Sequence, residues 1–186
     1  MGVVFLGEMA IDWDSKIEAV TYKEHIHFLR EAYSYAWNHS DDSSTKVGAV
    51  IVTPDIEHVI SYGTNHYPPG LCPTEEEKAD RNWKLKHIIH AEPAAIYTAA
   101  RKNGRTEGAV MYMPWVPCEN CARAIVGAGI ERIIGHKDMI VKTPNDWWGD
   151  IGPALALLKR CGVGLYMYDG KIGNVKGLFR GKEWEP

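Results

Sequence analysis

The sequence predicts an α/β fold, a three-layer α/β/α sandwich with a central mixed sheet of about five strands. Two observations predict it. Short apolar runs with strand composition alternate along residues 20–168 with segments whose apolar residues recur at helical spacing. Glycine, proline, asparagine and aspartate cluster between these segments, as turns and helix ends require. Strands and helices that alternate along a chain form one sheet with helices packed on its faces.

The size and composition indicate a single globular domain. The 186 residues are enough to bury a sizeable core, and 45% of them are hydrophobic while 24% are charged. We therefore interpret residues 1–186 as one domain, with a core over about residues 20–168.

The first half of the core is predicted to contain a helix and a hairpin. Apolar residues recur on one helical face over residues 21–38. The apolar run at 47–52 ends at a Thr-Pro-Asp turn signal, and the run at 59–63 is its hairpin partner. Residues 67–85 are polar and contain prolines, so we interpret them as a long loop. Loops of this length are often functional.

The second half is predicted to alternate three helices with three strands. In chain order we expect a helix over 91–102, a strand over 109–113, a helix over 119–127, a strand over 132–134, a helix over 151–161 and a strand over 163–168. Residues 1 to about 18 are interpreted as an irregular lead-in, and the tail after Gly170 gives no clear element.

The charge balance favours a small-molecule substrate over a polynucleotide. The formal net charge is -3, whereas proteins that bind along nucleic acids usually carry a basic surface. No run approaches the roughly 18–20 apolar residues that span a bilayer. The apolar start at residues 1–7 lacks the basic segment of a signal peptide. We therefore expect a cytoplasmic protein with no membrane segment.

Two short sequence strings contain the candidate metal-binding and catalytic residues: His-Ala-Glu at 90–92 and Pro-Cys-Glu-Asn-Cys at 117–121. Each is predicted to open a helix. Cys118 and Cys121 lie three residues apart, so on a helix they share a face and can bind one metal ion. His90, at the neighbouring helix start, would supply a third ligand. Three protein ligands leave one position of a tetrahedral zinc ion for water, which is typical of catalytic zinc.

Glu92 is the predicted catalytic residue. It lies two residues from His90, next to the water position rather than in the ligand set. A carboxylate there can take a proton from the water and pass it to the substrate. We therefore predict hydrolytic chemistry that depends on one catalytic Zn²⁺ per subunit.

Other readings of the cysteines remain open. A Cys-x-x-Cys pair also occurs in structural zinc sites and in redox sites. A structural site needs a fourth ligand, which Cys72, Cys161 or another histidine could supply. The chain would then be a non-catalytic module that zinc stabilises. Glu92, which such a site does not need, argues against this alternative.

With both strings, the chain resembles the zinc deaminases, whose signature is His-x-Glu followed by Pro-Cys-x-x-Cys. Further runs resemble the deoxycytidylate (dCMP) deaminase family, at 44–50, 63–66 and 118–130. The likeness covers about residues 20–168. It implies a cytidine deaminase-like fold and hydrolysis of a cytosine nucleotide, dCMP to dUMP and ammonia. It also implies a homo-oligomer, commonly a hexamer.

By position, the resemblance implies substrate contacts for four residues: Asn65 on the sugar, Val47 on the base, the Ala91 N–H on the pyrimidine carbonyl and the Pro117 carbonyl on the leaving amine. Two neighbouring residues are further candidates, Lys46 for a 5′-phosphate and Trp115 for the pocket wall. For the last two, a solvated lysine and a core tryptophan are the plain alternatives.

Three positions depart from the family pattern. Ala94 stands where the family has asparagine, His66 replaces a glycine, and residues 136–140 replace a Lys-Tyr-His-Asp type string that helps to hold the phosphate. These differences leave open a deaminase for another amino-substituted base, a free nucleoside or a modified cytosine nucleotide. A tRNA adenosine deaminase is a weaker alternative, because the chain is acidic overall.

Overall fold

The protein is described here from a computed structural model, which covers residues 4–6, 9–11 and 22–186. Its elements in chain order are β1 (Val4–Leu6), β2 (Met9–Ile11), α1 (Tyr22–His39), β3 (Gly48–Val52), β4 (Val59–Thr64), α2 (Glu75–Ala79), α3 (Arg81–His87), α4 (Ala91–Arg101), β5 (Val110–Tyr112), α5 (Glu119–Gly127), β6 (Arg132–His136), α6 (Lys137–Ile140), a 3₁₀ turn (Asn145–Trp147), α7 (Trp148–Arg160), β7 (Gly164–Tyr168), β8 (Gly177–Phe179) and β9 (Lys182–Trp184).

The central sheet has five strands in the order β4-β3-β5-β6-β7. Strand β3 runs antiparallel to both β4 and β5, whereas β5, β6 and β7 run parallel to one another. The two parallel connections each contain a helix, α5 and α7, as parallel strands require. The predicted mixed sheet of about five strands is confirmed.

Side chains that alternate along β3 divide the core into two halves. Ala49 and Ile51 are fully buried with residues of α4, α5 and α7 on one face of the sheet. Val50 and Val52 are fully buried on the other face, against Leu29 and its neighbours in α1. Burying one such aliphatic side chain contributes about 1.5–3 kcal/mol. The layers are therefore helix, sheet and helix, as predicted.

The regular elements predicted between residues 22 and 168 are present, with small shifts at their ends. The largest shift is at the last helix, predicted over 151–161, which begins at Trp148. Residue 21 of the first predicted helix lies outside the described residues. Among the residues that the structure describes, no helix has both the length and the apolar character to cross a membrane.

The prediction of a loop over residues 67–85 was wrong in part, because this segment contains α2 and most of α3. Thr74 starts α2 with a capping box, in which its hydroxyl oxygen accepts from the Glu77 N–H and the Glu77 carboxylate accepts from the Thr74 N–H. Asp80 caps α3 through the N–H groups of Asn82 and Trp83. Neither helix has a buried residue, so apolar spacing gave no signal.

The two ends of the chain also contain strands that were not predicted. In the segment interpreted as an irregular lead-in, β1 and β2 pair antiparallel, and the remaining residues up to 18 lie outside the described ranges. In the tail, β8 and β9 form an antiparallel hairpin.

Gly63 lets α4 lie directly on β4. A Cβ atom at this position would come within 2.2 Å of the Ala95 nitrogen and 2.3 Å of the Ala91 oxygen. Both clashes are with helix backbone, which cannot move aside as a flexible side chain can. Because Ala91 begins the helix that follows His90, this contact also fixes the position of the His-Ala-Glu string.

We expect Gly63→Ala to lower the free energy of unfolding by about 1–3 kcal/mol, the usual cost of overpacking a core. Urea denaturation measures it. Gly127→Ala is the matched control, since a Cβ at the end of α5 meets nothing within 4 Å. That change is expected to be neutral or to stabilise by up to about 1 kcal/mol. Equal effects of the two changes would contradict this account of the packing.

Candidate metal and substrate site

The backbone ahead of α4 holds His90 beside the end of β4. Ile89 pairs with His66 in an antiparallel bridge, with N···O distances of 2.8 and 3.1 Å in the two directions. His90 then takes the N-cap position of α4 in an extended conformation, and its side chain makes no capping hydrogen bond. The imidazole is therefore free to bind elsewhere.

The two cysteines lie in the same way at the start of α5. Cys118 is the N-cap of this helix and makes no side-chain capping bond. Cys121 lies three residues later in the first turn and is buried. The prediction that both strings open helices is confirmed.

The side chains of His90, Cys118 and Cys121 form a compact triangle. The His90 Nδ1 atom lies 3.6 Å from the Cys118 Sγ and 3.4 Å from the Cys121 Sγ, and the two sulfur atoms are 3.5 Å apart. Ligands at normal zinc distances, about 2.3 Å for sulfur and 2.0–2.1 Å for nitrogen, stand roughly 3.5–3.8 Å apart in a tetrahedron. The triangle therefore fits a zinc ion.

The ligand set is one of three residues. Among the residues that the structure describes, no fourth histidine, cysteine or carboxylate atom joins this group. Cys72 and Cys161 are both exposed. A structural zinc site needs four protein ligands, so the donor set fits a catalytic ion with one position open.

The three side chains of the triangle shift one another's pKa values. Hydrogen bonding with Cys121 and with His90 lowers the pKa of Cys118 to about 4, although burial opposes this shift. Hydrogen bonding with Cys118 raises the pKa of His90 to about 9. The bond with Cys118 and burial both raise the pKa of the Cys121 thiol.

Glu92 lies beside this triangle, in the first turn of α4. Its side chain is almost completely buried, with 4% relative exposure, and it interacts with the Cys121 thiol. Burial raises the pKa of the Glu92 carboxyl, while the neighbouring His90 ring acts in the opposite direction. A buried carboxyl group next to candidate metal ligands has the position that proton transfer to or from a bound water would require.

A cavity of about 540 Å³ opens onto the triangle and Glu92. This volume lies within the range of about 300–1,000 Å³ that is typical of small-molecule sites. His90, Glu92 and Cys118 line it, and so do four of the residues predicted to contact substrate. These four are Val47, Asn65, Ala91 and Trp115.

The comparison with known sequences agrees with this geometry. The model of the cytidine and deoxycytidylate deaminase zinc-binding region matches residues 22–137, which include every residue of the triangle. The chain belongs to this deaminase family.

Several deoxycytidylate deaminases are similar to this family member. The enzyme of Enterobacteria phage T2 is 36% identical over 92 residues, covering 50% of this chain and 47% of the relative. The mouse enzyme is 34% identical over 119 residues, covering 60% of this chain and 64% of the relative. The chain thus matches about half to two thirds of the length of these relatives.

A solved structure supports the fold. The dCMP deaminase of cyanophage S-TIM5, in complex with dCMP and dUMP, superposes with a TM-score of 0.63 at 18% sequence identity. The superposition covers 81% of this chain and all of the cyanophage chain. The cytidine deaminase-like fold expected from the sequence is confirmed.

Two of the residues predicted to contact substrate do not line the cavity of this family member. The Lys46 Nζ atom donates to the Trp37 carbonyl oxygen at 2.8 Å and lies over the Trp37 ring. The structure therefore does not bring Lys46 to the site. Pro117 is buried and is not among the residues that line the cavity, and its predicted carbonyl contact with the leaving amine stays a prediction.

Asn65 lines the cavity, but protein groups already bind its amide. The Oδ1 atom accepts from the Val47 N–H at 2.9 Å and from the Ser40 hydroxyl at 2.7 Å. The Nδ2 atom donates to the Thr45 carbonyl at 2.7 Å and to Asp42 at 3.4 Å. Asn65 therefore orders the backbone of residues 42–47 along the cavity, and its contact with a sugar stays a prediction.

Trp115 combines the two roles left open for it. It is buried in a cluster with other aromatic residues, its ring 5.4 Å from both Trp147 and Phe179, and it also lines the cavity. Its indole Nε1–H donates to the Thr143 hydroxyl at 2.7 Å, which fixes the ring. Trp115 is thus a rigid wall of the site.

Sequence reasoning missed the cationic residues that line the cavity. Lys78 comes from α2, Arg81 and Lys84 come from α3, and Arg180 comes from the C-terminal hairpin. The cluster of basic residues between 78 and 86 was a sequence signal that could have indicated this cationic lining. The tail gave no such signal, because only the fold brings it to the site.

Proposed function

We propose that this chain is a zinc-dependent hydrolytic deaminase of a cytosine nucleotide, converting dCMP and water to dUMP and ammonia. The observation that carries the proposal is the buried Glu92 carboxyl beside a triangle of three metal ligands at one end of a cavity. The names of the phage and mouse relatives support dCMP as the substrate.

His90, Cys118 and Cys121 would hold the ion, the cysteines as thiolates. When bound, zinc supplies a Lewis acid that lowers the pKa of a water molecule toward neutrality. The rest of the chemistry falls to residues of the chain.

Glu92 would move the protons. Its carboxylate accepts one proton from the water and donates it to the ring nitrogen next to the reacting carbon. It then carries the second water proton to the amino group, which leaves as ammonia, and the carboxylate is regenerated. Its burial supports this role, because general acid–base groups act best with a pKa moved toward neutral pH.

The start of α4 would orient the base. Ala91 is the first residue of this helix and lines the cavity. The first N–H groups of a helix have no partner within it, so the Ala91 N–H is suited to bind the pyrimidine carbonyl. Val47 would contact the flat face of the ring, with Trp115 as a wall. A homo-oligomer stays a prediction of the family resemblance, and a cytoplasmic location stays a prediction from the sequence.

A substrate panel tests the proposed function. Zinc-loaded protein is incubated with dCMP, CMP, deoxycytidine and a 5-substituted dCMP, and ammonia release is recorded. We expect the highest kcat/KM for dCMP. Absence of ammonia from every substrate would contradict the deaminase proposal. A higher kcat/KM for another member of the panel would keep the reaction and change the substrate.

A further inference from the structure

The proposed function needs a group that binds the 5′-phosphate, and neither expected source reaches the cavity. Lys46 is bound to Trp37, as described above. Residues 136–140 stand where the family has its phosphate-holding string. Of these, His136 is fully buried, and its ring forms hydrogen bonds with the Tyr33 hydroxyl and the Gly170 carbonyl. Lys137 next to it pairs with an aspartate. The phosphate contact must therefore come from elsewhere.

The cavity itself is rich in positive charge, although the chain carries a net charge of -3. Its lining contains four cationic side chains and two carboxylates, and one carboxylate is Glu92. Three of the cations have acidic partners. These pairs are Lys78 with Glu75, Arg81 with Asp146 and Lys84 with Asp42.

Arg180 is the exception. Among the residues that the structure describes, its side chain has no acidic partner and no hydrogen-bond acceptor. It is exposed at the cavity, where a charged ligand can reach it. An arginine that lines a cavity and has no acidic partner in the described part of the chain can bind an anion without first breaking an ion pair there.

The backbone at Arg180 is also unusual. Arg180 and Gly181 form the two-residue loop between β8 and β9, with φ angles of 51° and 76°. Positive φ at both positions defines a type I′ turn, whose first position strongly prefers asparagine, aspartate or glycine. Arginine carries a steric penalty there. A disfavoured residue at a site-lining position indicates a role that the turn itself does not need.

The hairpin is held at the edge of the cavity by its backbone. The Lys46 N–H donates to the Leu178 carbonyl at 3.0 Å, and the Gly181 N–H donates to the Ser44 carbonyl at 2.8 Å. The segment 44–46 is part of the stretch that Asn65 orders on its other side. Arg180 therefore lies in a turn whose position is fixed by backbone hydrogen bonds.

We propose that Arg180 binds the 5′-phosphate of the nucleotide and so makes this enzyme prefer nucleotides over nucleosides. The proposal rests on the proposed function. A guanidinium group can form two parallel hydrogen bonds to a phosphate, and charge-assisted bonds of this kind are stronger than neutral ones.

The variant Arg180→Asn separates this role from a structural one. Asparagine is preferred at this turn position, so we expect Tm to stay the same or to rise. We expect kcat/KM for dCMP to fall about 10- to 100-fold, mainly through KM, as loss of a charged hydrogen bond predicts. Turnover of deoxycytidine should not change. Calorimetric Kd values for dUMP and deoxyuridine should show the same selective loss.

Lys182→Gln is the matched control, because Lys182 is exposed on the same hairpin and does not line the cavity. It should leave both substrates unaffected. A lower Tm with equal losses on dCMP and deoxycytidine would overturn the proposal, and so would an unchanged dCMP preference in Arg180→Asn. If the wild-type protein released ammonia from neither substrate, the proposed function itself would fail.

Discussion

Glu92→Gln is expected to lower kcat for dCMP by about two to four powers of ten while the protein keeps its zinc. Glutamine fills the same space but cannot accept a proton from water or carry it to the ring nitrogen. Positioned acid–base groups contribute about 10²- to 10⁴-fold to enzymatic rates. Since Glu92 is not one of the three ligand residues, metal analysis should still give one zinc per chain. Steady-state kinetics and metal analysis on the same sample measure both quantities.

Glu131→Gln is the control for removal of one negative charge, because Glu131 is exposed and does not line the cavity. Its kcat should equal that of the wild-type protein. An active Glu92→Gln variant with bound zinc would show that another group moves the protons. A variant that loses its zinc would show that Glu92 holds the metal.

Cys121→Ala is expected to remove zinc and activity together. Cys121 is buried in the first turn of α5, and its sulfur lies within 3.5 Å of both other ligand atoms. Without this thiolate only two protein ligands remain, too few for either a structural or a catalytic zinc site. We expect less than stoichiometric zinc after dialysis and no detectable ammonia release from dCMP.

Cys72→Ala and Cys161→Ala are the controls for this change. Both cysteines are exposed and lie outside the ligand group of the described residues. Each variant should retain one zinc per chain and full activity. Zinc loss in either would point to a fourth ligand and to a structural site. Full zinc binding by Cys121→Ala would show that the ligands have been assigned wrongly.

The candidate metal-binding cysteines could be predicted from the sequence to lie together because their geometry is local. Cys118 and Cys121 face one another across a single helical turn, which their spacing determines. The pairing of His90 with them was harder to derive, since it depends on how α4 and α5 pack. His90 was expected beside them because its motif is predicted to open the neighbouring helix, and the distances within the triangle agree with that expectation.

The predicted phosphate contact of Lys46 failed because sequence proximity to site residues does not determine the side to which a side chain points. Successive side chains of an extended segment point to opposite sides. Thr45 and Val47 both line the cavity, so Lys46 between them points away, toward Trp37. Cys161 is the last residue of the helix predicted over 151–161, and it is exposed. The helix ends at Arg160, so Cys161 lies beyond the buried stripe.

Arg180 could not have been found from local sequence. It reaches the cavity because the C-terminal hairpin lies against a segment about 135 positions earlier in the chain, where the Arg180 N–H donates to the Thr45 hydroxyl. Contacts between such distant positions follow from the whole fold rather than from spacing or composition. Helices α2 and α3 were missed for a different reason, since side-chain caps rather than buried residues define them.

Zinc K-edge X-ray absorption of the zinc-loaded protein tests the central claim most directly, namely that one histidine and two cysteines leave a coordination position open. We predict two sulfur neighbours at about 2.3 Å, one imidazole nitrogen and one further light atom at about 2.0–2.1 Å. Addition of dUMP should alter the light-atom shell and leave the sulfur shell unchanged. A third sulfur or a second imidazole would contradict the claim, because a fourth side chain would then fill the position that water needs.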